Sequence, residues 1–304
     1  MKLAFKKAEK RGIYARIALD GVTGGGKTYT AIQIARGLQQ AGRIALIDTE
    51  HSSAERYAPK PGEQADPENH TFDFDHMNLA THHPDTYIEA LSLVDPKVYD
   101  VVIVDSLSHA WAGRDGALEQ VDKAAARSQS NNKFTAWRDV TPMHNRLVDA
   151  LLSVNAHLIV TMRSKMAYEL VENDKGKKEP KRLGLAPVQR EGIEYELDIV
   201  GDMNEEGTLV ISKTRAAFLS GGVFKRPGPA LGRQILDWCG AVDPSDATVT
   251  TAQLKELRDF GTENGKTVEE IQQLAQAEFG KSVREINVGE LATLKTKIAA
   301  LVTA

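Results

Sequence analysis

The sequence predicts an α/β fold with a mostly parallel central sheet, and three observations support that reading. Near-continuous Ile/Val/Leu runs alternate with longer amphipathic stretches over the first two-thirds of the chain, as strands buried on both faces and wrapped by helices require. A glycine-rich segment, Gly21-Val22-Thr23-Gly24-Gly25-Gly26-Lys27-Thr28, follows the first apolar run and opens a helical pattern. With 304 residues, 41% of them hydrophobic and 26% charged, the chain can build a sizeable core, which excludes a disordered or collagen-like protein.

Taken in order, residues 15–20 (ARIALD) read as the first strand and 43–48 (RIALID) as the second. Between them Ala31, Ile34, Ala35 and Leu38 share one face of a helix that Gly42 stops. A helix is expected over 84–94, a third strand over 99–105 (YDVVIVD), a helix over 135–154 and a fourth strand over 156–162 (AHLIVTM). The stretch 112–134 is rich in Ser, Asn and Gly and reads as a loop, mobile when empty. Residues 163–190 are polar and basic, with Asn173-Asp174-Lys175-Gly176 as the turn of a projecting hairpin. Residues 193–203 and 207–214 read as an antiparallel pair joined through Asn204-Glu205-Glu206-Gly207. The polar break at 241–249 separates a domain spanning 1–240 from a small all-α module, 250–304. In that module Leu254, Leu257, Ile271, Leu274, Leu291, Leu294, Ile298 and Leu301 are the core candidates.

Composition narrows the classes further. Cys239 is the only cysteine, which excludes a disulfide framework and fits a reducing cytoplasm. No run approaches the roughly 18 apolar residues of a membrane span. The basic N-terminus, MKLAFKKAEKRG, lacks the apolar stretch of a secretory signal, so a cytoplasmic protein without a membrane partner is expected. Net charge is −4, so any nucleic-acid surface has to be local. His76, His82 and His83 lack the spacing of a metal site. Trp111, Trp137, Trp238 and Cys239 read as packing residues.

The glycine-rich segment matches G-x-x-x-x-G-K-S/T in the context its mechanism needs, a strand before it and a helix after it. Gly21, Thr23, Gly24, Gly25, Gly26, Lys27, Thr28 and Tyr29 are therefore the expected ATP-binding residues. The loop amides converge on the phosphates, Lys27 reaches the β/γ-phosphates, and the Thr28 hydroxyl holds Mg²⁺. Asp105 ends the run Val101-Val102-Ile103-Val104, where a carboxylate at the C-terminal end of a buried strand can orient the magnesium. Its neighbour is Ser106 rather than a second carboxylate. The base that readies water must then come from another strand, and Glu50, just past the second one, is the candidate.

These segments bear a likeness to one superfamily over about residues 14–240. IALIDTEHSSAERYA is similar to the segment of RecA that carries its catalytic glutamate. VVIVDS resembles RecA's magnesium strand, and NAHLIVTMR resembles the strand ending in its γ-phosphate sensor. MRSKMAYELVENDKGKKEPKRLGLAPVQREGIEYELDIVGDM and SKTRAAFLSGG look like phage-encoded RecA-like ATPases of recombination modules, some described as single-strand-annealing proteins. The tail, TTAQLKELRDFGTENGKTVEEIQQL, looks like small C-terminal modules of phage recombination proteins.

The resemblance implies a RecA-like P-loop core with an antiparallel extension, lacking most of RecA's N-terminal docking helix and strand. It implies ATP hydrolysis in a bacterial host's cytoplasm, with Glu50 as the catalytic carboxylate. Arg163 stands where RecA has its sensor glutamine and would sense the γ-phosphate. Lys213 and Arg215 resemble a K-x-R that completes a neighbour's site, which implies self-association. Single-stranded DNA would meet the segment after the sensor strand, through Lys175, Lys177, Lys178, Lys181, Arg182 and Arg190, and the 112–134 loop, through Arg114, Lys123, Arg127 and Lys133. The alternative is a nucleotide-gated loading factor with slow hydrolysis that recruits a single-strand-binding protein or another replication or recombination partner.

Overall fold

Every residue of β1 (Arg16–Gly21) is buried, as a strand covered on both faces requires. The computed structural model describes Lys7 and Lys10 and residues 12–127, 132–172, 178–240, 249, 251–286 and 288–302. After β1 come α1 (Lys27–Leu38), β2 (Arg43–Asp48), β3 (Asp75–Asn78), α2 (Pro84–Ser92) and β4 (Tyr99–Asp105). Three helices follow: α3 (Ser108–Ala112), α4 (Ala117–Arg127) and α5 (Lys133–Ser153). The chain continues through β5 (His157–Glu172), β6 (Lys178–Pro187), α6 (Ile193–Glu196), β7 (Ile199–Met203), β8 (Thr208–Thr214), β9 (Val223–Lys225) and α7 (Pro229–Trp238).

The sheet runs β3-β2-β4-β5-β1-β7-β8-β9, with β6 paired to β5 off that path. β1 lies parallel between β5 and β7, and β4 parallel between β2 and β5. β7, β8 and β9 form the antiparallel extension. Alternation sorts the apolar side chains onto two faces. Ile17, Leu19, Val101, Ile103 and Ile159 pack with α1 and α7. Ala18, Val102, Val104, Leu158 and Val160 face Tyr87 of α2 and Leu147 and Leu151 of α5. On the first face α1 and α7 cross closely. A Cβ on Gly232 would meet the Ile34 carbonyl oxygen at 2.2 Å and the Gly37 Cα at 2.7 Å.

Arg16 fastens the bottom of the sheet. It is 8% exposed, and its guanidinium donates to the carbonyls of Leu152 (2.9 Å), Val154 (2.6 Å) and Ala156 (2.6 Å). The α5 C-terminus and the entry to β5 are thereby tied to β1. Burial lowers the guanidinium's pKa, against the attraction of Asp198.

The structure corrects several expectations. Residues 117–127 of the expected 112–134 loop are α4, whose Val121 and Ala125 pack on Ala136, Val140 and Met143 of α5. Trp111 and Trp137 stack in that cluster at 5.4 Å. The 193–203 strand begins only at Ile199. Residues 193–196 form α6, entered through Gly192 at φ 95, and Leu197 and Ile193 still reach the core. The fourth strand runs ten residues beyond its expected end and pairs antiparallel with β6.

Residues Gly240–Ala304 form a separate compact unit from Met1–Cys239. It contains α8 (Thr251–Glu263), α9 (Val268–Phe279) and α10 (Val288–Val302). Its core gathers Leu257, Ile271, Ala275, Ile286, Leu291, Leu294 and Ile298, with Leu254 and Leu274 partly buried against it. Thr267 and Glu270 close a reciprocal capping box at the start of α9. The side chain of Leu301 lies outside the described residues. Among the described residues no helix is long and apolar enough to cross a membrane.

Candidate active site

The phosphate loop leaves β1 at Gly21, whose φ is +150° and whose Cβ would sit 2.3 Å from the Met203 carbonyl oxygen. Only glycine fits that approach. Gly26, at φ 79, is the N-cap of α1 and supplies no capping side chain, so the first-turn amides are left for an anion. Lys27 Nζ donates to the carbonyls of Gly21 (3.1 Å) and Val22 (2.8 Å), curling over the loop. Burial lowers its pKa, opposed by Asp105 and Glu50.

Thr28 Oγ1 donates to Asp105 Oδ2 at 2.6 Å, and the Thr161 hydroxyl donates to the other carboxylate oxygen. Asp105 is buried, which raises its pKa, while those two hydroxyls lower it. A buried carboxylate beside a hydroxyl is a pair of hard oxygen donors, and it gains from a divalent cation what burial costs it. Thr28 and Asp105 therefore fit Mg²⁺.

β2 and β4 bring Asp48 level with Asp105, and Glu50 lies two residues past Asp48. The buried Asp48 carboxylate accepts from the backbone amides of Glu50 (2.5 Å) and Ala54 (3.0 Å), and His76 bridges it to Glu55. Asp48 thus folds the segment that presents Glu50. Across the site Arg163, level with Gly21, donates to Glu50 Oε1 from Nε (3.0 Å) and Nη2 (2.9 Å). Its amide is held by Ser108 Oγ at 2.8 Å. Below this pair, Thr49 Oγ1 contacts His109 Nδ1 at 2.8 Å, and His82 stacks on His109 at 4.7 Å. Burial is the first cause lowering both imidazole pKa values.

A cavity of about 610 Å³ opens along the phosphate loop, lined by Gly24, Gly26, Tyr29, Tyr57, His70 and Arg226 among others. Tyr29 packs within 6 Å of Tyr57, His70 and Phe72, centroid to centroid. The cavity has the position and size for the base and ribose of a nucleotide whose phosphates lie on the loop. Tyr57, His70 and Arg226 are residues that sequence reasoning missed. The one signal was aromatic content near Glu50.

A family model described as an AAA domain matches residues 13–221, more than two-thirds of the chain. The chain belongs to the AAA domain family. It is accordingly a P-loop ATPase by family, and no curated protein matches it. The AAA domain includes Lys27, Thr28, Glu50, Asp105 and Arg163, and these five converge at the C-terminal end of its parallel strands.

Other expected residues lie elsewhere on the AAA domain. Lys213 is level with Val200, which pairs with Ala18, three residues and about 10 Å down the sheet from Gly21. Its Nζ donates to the Leu197 and Tyr195 carbonyls. Arg215 pairs with Asp198 at 2.8 Å and donates to the Tyr195 carbonyl at 3.1 Å. Both grip the turn between α6 and β7, away from this chain's own phosphate loop.

The basic hairpin is described by its backbone. Lys178, Lys181 and Arg182 stand on β6 opposite Glu172, Glu169 and Tyr168, while Lys175 and Lys177 lie outside the described residues. Arg190 does not belong to the hairpin. It lies past β6 beside α5, donating to Asn145 Oδ1 at 3.2 Å. In the former loop, Lys123 pairs with Asp115 and Glu119, and Lys133 with Asp122. Cations already balanced by carboxylates have less charge to offer a phosphate backbone.

Proposed function

We propose that this AAA-domain ATPase hydrolyses ATP with Mg²⁺ and works on single-stranded DNA in phage-type recombination or strand annealing, in the cytoplasm. In this reading the loop amides and Lys27 bind the phosphates, and Thr28 and Asp105 hold the ion. Bound magnesium neutralises the charge that builds on the phosphate oxygens during transfer. Glu50 orients and deprotonates the attacking water, and Arg163 neutralises the departing γ-phosphate. Lys213 and Arg215, held on the turn between α6 and β7 away from their own site, would exchange those contacts for the nucleotide of a second copy, which makes self-association part of the proposal.

One observation carries the DNA reading. β5 runs without interruption from the sheet core through Arg163 into the hairpin that bears Lys178, Lys181 and Arg182. Residues 163–190 hold eight Lys/Arg against four Asp/Glu in a chain of net charge −4. Nucleotide state and hairpin are therefore connected by one backbone, the kind of coupling triphosphate switches use. The test is phosphate release with and without oligonucleotide. Single strands should raise the rate in a salt-sensitive way, and the Lys178/Lys181/Arg182→Ala variant should lose the rise. The carboxylate-paired Lys123 and Lys133 favour a second reading, the loading factor. A rate indifferent to DNA decides for it.

A further inference from the structure

We propose that His70 reads the edge of the nucleobase, acting as a hydrogen-bond donor whose tautomer is set by a directed chain of side chains on α1. His70's role presupposes that the phosphate loop binds ATP.

The chain starts at Arg36, which can only donate. Its Nη1 donates to Gln33 Oε1 at 3.0 Å, and its guanidinium sits over the Phe72 ring at 5.0 Å. With its oxygen so engaged, the Gln33 amide turns its NH₂ to Tyr29 and donates to the phenolic oxygen at 2.8 Å. Gln33 is 7% exposed, and flipping its amide would set the NH₂ against the Arg36 guanidinium, donor against donor. The Tyr29 hydroxyl has its own proton to place, and of its two protein partners only His70 Nδ1, at 2.9 Å, can accept it. A neutral imidazole that accepts at Nδ1 carries its hydrogen on Nε2. No described residue takes that Nε2–H, and His70 lines the cavity beside the phosphate loop.

The backbone is prepared for the same task. His70 sits at φ 59, just after a short turn in which Asp66 accepts from the Glu68 amide (2.9 Å) and the Asn69 side chain (2.6 Å). Its ring meets Tyr29 edge to face at 5.5 Å. A base in this cavity finds the Tyr57 ring among its walls and one oriented N–H donor at the rim. The ligand this selects is a purine triphosphate that turns an unprotonated ring nitrogen toward His70. Arg36, Gln33 and Tyr29 are positioning residues for that donor.

Binding of ATP and of inorganic tripolyphosphate to the full chain tests the assignment, because tripolyphosphate occupies the loop without a base. His70→Ala should weaken ATP about fivefold, the worth of one neutral hydrogen bond, and leave tripolyphosphate unchanged. Tyr29→Phe keeps the ring, frees the imidazole to exchange tautomers, and should weaken ATP about twofold with no effect on tripolyphosphate. One of the deaza analogues of ATP, lacking a single ring nitrogen, should bind the wild type and His70→Ala equally. An ATP affinity untouched by His70→Ala, or an equal loss for both ligands, overturns the proposal while Lys27→Ala still reports on the phosphate loop. A wild type that binds neither ligand overturns the ATP reading and the proposal with it.

Discussion

Glutamine in place of Glu50 keeps the side chain's length and its seat beside Arg163 but removes the charge that takes a proton from water. The structural loss is small. The Glu50–Arg163 pair joins side chains that are 28% and 46% exposed, and pairs at such exposure contribute about 1 kcal/mol or less. The Asp48 contacts that fold the segment involve the Glu50 backbone, which the substitution leaves alone. The melting temperature should therefore move by about 3 °C at most. A positioned base contributes about 10²- to 10⁴-fold to the rate, or about 3–5 kcal/mol of barrier. Phosphate release at saturating ATP should accordingly fall at least about a hundredfold, with ATP affinity retained. Rate, affinity and unfolding are to be measured on one preparation, so that a folding defect cannot pass for a catalytic one. A Glu50→Gln enzyme within about threefold of the native rate would mean that some other group readies the water.

Three further predictions concern the scaffold. Arg16→Met fills much of the same space but strands the Leu152, Val154 and Ala156 carbonyls, and should cost about 3–5 kcal/mol in urea unfolding; a loss below 1 kcal/mol would show that the guanidinium is dispensable there. His157 accepts the Ala15 amide at Nδ1, and burial followed by the nearby Arg16 charge lowers its pKa from 6.5 to about 4. The unfolded chain then takes up this proton first, so the contribution is full above pH 6.5 and is lost as pH falls toward 4, about 3 kcal/mol in all. His157→Asn, which keeps an acceptor at that place, should flatten this part of the stability–pH curve. Gly232→Ala should part α1 from α7 and cost about 1–3 kcal/mol in thermal unfolding; an unchanged melting curve would refute the close crossing.

The sequence announced the parts of the site that are local. Gly21 through Thr28 form a contiguous motif, and Asp105 ends, and Glu50 follows two residues after, a strand whose apolar run is legible by itself. What it could not announce was long-range. That Arg163 lies level with Gly21 and meets Glu50 follows from β5 sitting between β1 and β4, an order that no local pattern encodes. Asp48 looked like one more acidic strand end, and its work for Glu50 shows only once Ala54 and His76 fold back on it. His70 lay in a polar run with no periodicity. Tertiary burial decided the remaining errors. Glycine and serine at either end of 112–134 masked the apolar stripe of α4, and the alternation of Ile193, Tyr195 and Leu197 imitated a strand where Gly192 turns the chain into a helical turn.

The length of β5 has a mechanical consequence. From Arg163 to Glu172 the strand extends about 30 Å beyond the level of the phosphate loop. It acts as an oar whose oarlock is the pairing with β1 and β4. One degree of tilt at Arg163 sweeps the far end through about half an ångström, so a load on the blade returns to the guanidinium as torque. The register break between Ala167 and Tyr168 is the one point along the shaft where part of that torque can be absorbed before it arrives.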